Sequence, residues 1–372
     1  GVNVFNSSAT IKSNNIFFNR GPGVLLDGSK GEAFLNTIMG NHRPRGGPPE
    51  QQMTGIEVRI CDGVHIYNNN VSSNSANIYL DHSTNINIEW NTMVDASAVI
   101  MIYPNVAPPR GIFSVSSQMI ASNNTIWGTI FGMEIRDADE TTIVRDNNFY
   151  PLEGVGAPWP GRGIYLNNAS VRAEWNTFDK IGTGIYCHMN SDATIASNNI
   201  TNGDVGIYSN SSSPMINDNF LTNNTCGIHF QYSSDAVVVN NDIKANREYG
   251  IRLESSSGNA IYHNNFVNNV VQAYDDGANQ WDNGYPSGGN YWSDYTGLDI
   301  YSGPAQDQPG SDGIGDEPYT STTGQGIQGG LNQDDYPLME AVLFFDIHLV
   351  QGWNLISLPL VQMDASIPMV LS

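Results

Sequence analysis

Three groups of residues have types and spacing suited to chemistry. Asp294, Asp299, Asp307, Asp312, Asp316 and Glu317 fall within 24 residues, interleaved with glycines and carbonyl-rich turns. Calcium takes six to eight oxygen ligands from such a donor set. The spacing is not that of an EF-hand loop, so an acidic, solvated cap is the alternative reading. The second group, Tyr79, Asp81, Tyr165, Tyr186, His188, Tyr208 and His229, recurs two or four residues after a short glycine motif. Tyrosines stacked beside amides and carboxylates offer a flat, polar-edged platform for sugar rings, although the same stack also stabilises a sheet that binds nothing. In the third group, the soft ligands Cys187, His188 and Met189 are consecutive and invite copper. Strand alternation turns Cys187 inward and His188 outward, however, so copper is not expected.

Acid–base chemistry has less to build on. A lyase needs a proton abstractor beside cation-binding acids, and a glycosidase needs two or three clustered carboxylates. Arg59, Asp81 and Arg136 share one face, but no paired aspartates and no His-Arg set accompany them. Catalysis is therefore left open and not expected.

These residues must be positioned by a repeat. Glycine, an apolar residue, any residue and a second apolar residue recur as GVLL at Gly23, GIEV at Gly55, GMEI at Gly132, GIYL at Gly163, GIYC at Gly184, GIYS at Gly206, GIHF at Gly227 and GIRL at Gly250. Alanine or serine replaces the glycine at Ala76 and Ser97. Each unit closes on an Asn two residues before an apolar residue, as in Asn36/Ile38, Asn91/Met93, Asn147/Phe149 and Asn264/Phe266, with Asp218/Phe220 as a variant. Uninterrupted units are about 20 to 23 residues long, the period of a solenoid. Within them apolar residues alternate with period two, and nothing sustains a helical period. The expected fold is all-β: a right-handed parallel β-helix of about 11 to 12 coils, with an acidic C-terminal cap and trailing strands. Residues 1–274 form the helix, 275–340 the Gly/Asp-rich cap, and 341–372 the start of a further β module or assembly strands.

Asparagine reaches 45 of 372 residues, which suits recurring tight corners. Its closing position predicts a ladder of stacked amides from coil to coil. A second polar line, including Asp62, Ser83, Ser191, Ser213, Ser234 and Ser257, lies seven residues after each motif position. Pro/Gly-rich insertions occupy 40–54 and 150–162 at one corner and 103–110 at another, and loops on rigid scaffolds are where binding residues concentrate. His42, Arg43, Arg45 and Arg162 place scarce basic charge in the first two.

Net charge is -22, from 15 Lys and Arg against 37 Asp and Glu. No Lys or Arg follows Arg252, while 15 of the acids do, so the charge beyond it is -15 and the rest carries 15 - 22 = -7. Nucleic-acid binding through basic contacts is excluded. Three cysteines without CxxC spacing signal neither a disulfide framework nor zinc. The apolar run at 341–350 is too short to span a bilayer. No basic-then-apolar leader opens the segment, so any secretion signal was removed or lies outside it. Seven N-x-S/T sequons fit an exterior location.

The region after the last coil carries a resemblance. GGNYWSDY (288–295), DGIGDEPY (312–319) and DYPLM (335–339), together with the coils, resemble β-helix proteins of the NosD-like type, related to carbohydrate-binding and sugar-hydrolase β-helix domains of secreted and archaeal surface proteins. GWNLISLPL (352–360) resembles the opening of a separate β module found after such helices. The family name implies copper handling, but the matching residues include no His or Met cluster, so copper is not carried over. The resemblance implies an extracellular structural or adhesive surface protein: a rod within a larger surface protein or a filament of its own copies. The alternative is a glycan-binding or polysaccharide-cleaving β-helix that uses the Tyr/Asn/His face.

Overall fold

The computed structural model describes residues 1–41, 54–94, 108–151, 161–321 and 326–343. Three parallel sheets of thirteen, eleven and twelve strands wrap one core, and successive strands of each sheet come from successive coils. This is a parallel β-solenoid of about 12 turns, or roughly 55 Å at the usual strand spacing. No helix occurs among the described residues. Residues 1–342 form one compact unit and 343–372 another. The expectation of assembly strands at 341–372 falls almost entirely outside the described residues.

Alternation builds each coil. In the strand Thr183–His188 of the first sheet, Ile185 and Cys187 are fully buried and Tyr186 and His188 face out. The motif glycine is explained by crowding, since a Cβ on Gly184 would stand 2.6 Å from the Gly206 carbonyl oxygen and 2.7 Å from Ile200 Cγ2.

The asparagine ladder sits at the corner between the second and third sheets. Asn91 is typical: its backbone N–H and its Nδ2 donate to Asn124 Oδ1 at 3.0 and 3.1 Å, and Nδ2 also donates to the Ile66 carbonyl at 2.9 Å. The residue before each ladder member is left-handed, with φ between 52° and 59° from Ser13 to His263. Asn, Asp and Ser accept that conformation readily. Leu35, Trp90 and Trp175 adopt it too, because the coil leaves them no alternative. The ladder corrects one expectation, since in its unit Asn219, with Leu221 inward, takes the position expected for Asp218/Phe220.

The second polar line is shifted in part. The buried ladder at the corner between the first and second sheets runs through Ser29, Cys61, Ser83 and Ser117, and later through Ser191, Ser212, Ser233 and Ser256. Ser83 and Ser191 stand as expected, whereas Asp62, Ser213, Ser234 and Ser257 lie one residue beyond it. Cys61 substitutes for a serine: Ser29 N–H donates to its Sγ at 3.3 Å, and its own N–H donates to Ser83 Oγ at 3.1 Å.

The insertions also need revision. The strand that follows Ala76–Asp81 in the first sheet is Arg110–Val115. The unit read at Ser97 lies outside the described residues, and all three insertions fall between strands of the third and first sheets, at one corner. They precede the strands Thr54–Arg59, Arg110–Val115 and Arg162–Asn167, which lie in alternate coils. His42, Arg43 and Arg45 lie outside the described residues.

The final coil is covered. Trp292 stacks on Phe266 at 4.5 Å and 9° and on Tyr319 at 4.2 Å and 15°. Short strands at Tyr291–Trp292 and Ile327–Gln328 pair with the last strands of the third and first sheets. Two buried carboxylates tie down the indoles: Trp281 Nε1 donates to Asp275 and Trp292 Nε1 to Asp334, each at 2.9 Å.

Candidate functional site

The outer face of the first sheet carries three in-register rows. The middle row runs Glu57, Tyr79, Phe113, Glu134, Tyr165, Tyr186, Tyr208, His229, Arg252 and Tyr274. Beside it, two residues on along each strand, run Arg59, Asp81, Val115, Arg136, Asn167, His188, Asn210, Gln231 and Glu254. On the other side, next to the corner of the insertions, are Arg110, Phe131, Arg162 and Thr183. This last row also faces outward: the Arg162 guanidinium lies over the rings of Phe131, Tyr165 and Tyr186, at 5.3, 5.1 and 4.7 Å.

The rings are not a simple stack. Tyr79 and Phe113 lie face to face at 5.3 Å and 25°. Tyr165 and Tyr186 meet edge to face at 83°, and Tyr186 and Tyr208 at 65°. An edge-to-face pair is itself a favourable arrangement, and it prevents every ring face from being consumed by its neighbour in the ladder. Tyr208 donates its hydroxyl to Gln231 Oε1 at 2.6 Å, and His229 Nε2 lies 2.9 Å from Glu254. Burial holds the Tyr165 and Tyr79 hydroxyls above the usual phenol range. For Tyr186, burial together with Tyr208 and Tyr165 pushes the value to about 12, against the pull of Arg162. Burial also lowers the His229 imidazole, opposed by Glu254.

The carboxylates of this face are clamped. Glu134, 1% exposed, receives Arg110 on one oxygen and Arg136 on the other, the latter through Nε at 2.7 Å. Glu57, 3% exposed, pairs with Arg59 and accepts from Thr54 at 2.7 Å. Unpairing either would leave a buried charge uncompensated. Asp81 lies 2.5 Å from His82 Nδ1.

All seven residues expected to bind a glycan therefore share one face. Tyr79, Tyr165, Tyr186, Tyr208 and His229 are in the middle row, and Asp81 and His188 are in the row beside it. Sequence reasoning missed Phe113, whose signal is the unread motif GIFS at Gly111. It also missed Arg110 and Phe131, because the residue before the glycine was not treated as outward.

The acids of the tail serve backbone amides. Asp299 accepts from the N–H groups of Asp312 and Gly313, and Asp316 from those of Ile300 and Tyr301. Asp312 accepts from Gly303 and Ile314, and Asp294 from the Tyr319 hydroxyl at 3.0 Å. Asp307 and Glu317 are exposed. Among the described residues no three His, Cys, Asp or Glu side chains converge as a metal site. Cys187 is buried in the core, Met189 is 53% exposed and His188 stands on the outer face, so these three point apart.

Wound from three parallel sheets and presenting an aromatic-polar outer face, the molecule is a β-solenoid repeat protein. The family described as right handed beta helix region matches residues 1–157, and that described as periplasmic copper-binding protein (NosD) matches 151–297. The chain belongs to this NosD and right-handed β-helix group. No curated protein is significantly similar in sequence. Among solved structures, a double mutant of the periplasmic alginate epimerase AlgG is 14% identical with a TM-score of 0.43. That alignment takes in 70% of this chain and 65% of the epimerase, so this chain spans just under two thirds of it. An alginate lyase from Paenibacillus sp. str. FPU-7 is 12% identical over 77% of this chain and 97% of its own, with a TM-score of 0.35. The A-module of the Azotobacter vinelandii mannuronan C-5 epimerase AlgE6 is 14% identical over 74% and 75%, also with a TM-score of 0.35. No helix among the described residues is long and apolar enough to cross a membrane.

Proposed function

We propose that the protein is an extracellular, adhesive β-solenoid that holds a carbohydrate chain along the outer face of its first sheet. The observation that carries this reading is the run Tyr165, Tyr186, Tyr208 and His229, half-exposed and in register, beside the amide-rich row Asn167, His188, Asn210 and Gln231. A sugar ring needs an apolar face to lie on and fixed hydrogen-bonding groups at its rim, and these two rows supply both over four successive coils. Binding is favoured over cleavage by the state of the carboxylates. Glu57 and Glu134, the most buried acids of the face, are each held by arginine, which leaves neither as a free proton donor or acceptor.

A glycan array tests the reading. Wild-type protein is expected to bind at least one polysaccharide class, and Tyr186→Ala with Tyr208→Ala to lose most of that binding without loss of fold. A silent array, or binding unchanged in the double variant, would remove carbohydrate from the account.

A further inference from the structure

Around Arg162 the face carries polar groups that the other described residues leave unused. Each other arginine of this sheet is paired: Arg59 with Glu57, Arg110 and Arg136 with Glu134, and Arg252 with Glu254. Arg162 makes no ion pair and no side-chain hydrogen bond among the described residues. Its guanidinium is nevertheless held in place, over the rings of Phe131, Tyr165 and Tyr186. A second orphan stands beside the same rings, for His188 Nδ1 is buried without a hydrogen-bond partner. The His188 ring lies 6.1 Å from Tyr165 and 5.7 Å from Tyr186, so the histidine and the arginine flank one pair of tyrosines. Buried polar atoms in folded proteins are nearly always satisfied, so one that is not calls for a partner beyond the described residues, such as water or a ligand.

The chemistry of that partner follows from the donors. A guanidinium offers a planar fork of N–H groups and no acceptor, and its best match is a carboxylate or another oxyanion with two oxygens in the fork plane. Stacking on aromatic rings fixes the plane of the fork in advance. Among the described residues the carboxylate nearby, Glu134, is already neutralised by two other arginines.

We propose that Arg162, with His188 and Tyr186 beside it, forms a subsite for an oxyanion carried by the bound carbohydrate, either a carboxylate or a sulfate ester. This rests on the carbohydrate reading above and narrows it from sugars in general to acidic polymers. The strongly acidic end of the chain does not oppose the subsite: the -15 lies beyond Arg252, and surface charges more than about 8 Å apart are screened at physiological salt.

The test is calorimetric titration of wild type, Arg162→Gln, Arg162→Lys and Tyr208→Ala with polygalacturonate, dextran sulfate, and the neutral parents methyl-esterified pectin and dextran. Thermal melts are run alongside to confirm the fold. Wild type is expected to bind one acidic polymer more tightly than its neutral parent, and whichever acid binds identifies the group. Arg162→Gln should weaken the acidic polymer about tenfold or more and flatten its salt dependence, with the neutral parent unaffected. Arg162→Lys, which keeps charge but loses the fork, should fall between. Tyr208→Ala should weaken acidic and neutral forms alike. Equal affinity for acidic and neutral forms, unchanged in Arg162→Gln, would overturn the oxyanion subsite and leave the carbohydrate reading standing. Wild type that binds none of the four polymers would overturn the oxyanion subsite, and the glycan array then decides the carbohydrate reading by itself.

Discussion

Asn176 shows how much one side chain carries in this architecture. Its Oδ1 accepts from the Asn147 backbone and side chain at 3.1 and 3.0 Å, while its Nδ2 reaches the Val144 carbonyl at 2.9 Å and Asn198 at 3.0 Å. Asn176→Ala strands donors and an acceptor inside the wall, at about 1–3 kcal/mol for each group left unsatisfied. A two-state unfolding titration should show a loss of that order, whereas Asn199→Ala, exposed on the outer side of the next coil, should change stability by less than about 0.5 kcal/mol. The ladder was legible because the coil forces an apolar residue two places after each Asn. The slip to Asp218 arose because Asp218 and Asn219 both have an apolar residue two places on, and only cross-coil register separates them. Asp334 carries the pH dependence. Burial pushes its carboxyl up to about 7, against the N–H groups of Asn290, Trp292 and Tyr336. A carboxyl raised in the fold stabilises fully below its unfolded value near 4, and that stability fades as pH rises through about 7. The melting temperature of wild type relative to Asp334→Asn should therefore fall between pH 5 and pH 8. A flat difference across that interval would mean that Asp334 titrates as an ordinary carboxyl.

Among the elements, the corner between the third and first sheets is where sequence and structure part most. Period and glycine motif placed nearly every strand of the first sheet, and with them the outward tyrosines. They misassigned the stretch before Arg110, because an alanine-serine variant at Ser97 mimics the motif while GIFS at Gly111 continues the sheet. Alternation alone does not reveal that the residue before each glycine faces outward, since glycine and the following apolar residue both pack inward there. In the acidic tail, Trp281, Trp292 and Tyr319 pack together over the last coil. Composition does not fix the role of the tail's acids, because a carboxylate that binds a cation and one that caps a loop look alike in sequence. Asp299, Asp312 and Asp316 point their oxygens at backbone N–H groups, which favour the same anionic oxygens a cation would need. Chelation with EGTA is accordingly expected to shift the unfolding midpoint by no more than about 1 °C. A drop of several degrees, reversed by calcium, would make calcium part of the fold.

At the scale of the whole molecule, charge and ligand surface are segregated. The rod, nearly neutral for its size, presents rings, amides and arginines on one of its three faces, and the terminal region without Lys or Arg closes the end of the core. A carbohydrate laid along four coils would contact Tyr165, Tyr186, Tyr208 and His229 in sequence and leave the other two sheets bare. Hydroxyl-radical footprinting with a bound polysaccharide reads this directly, because tyrosine, histidine and tryptophan all report their exposure. Protection of Tyr165, Tyr186, His188 and Tyr208 is expected on binding, with Trp90, exposed at the corner between the second and third sheets, oxidised as in the free protein. Protection centred on Trp90, or none at the tyrosine row under saturating ligand, would contradict carbohydrate binding along this face.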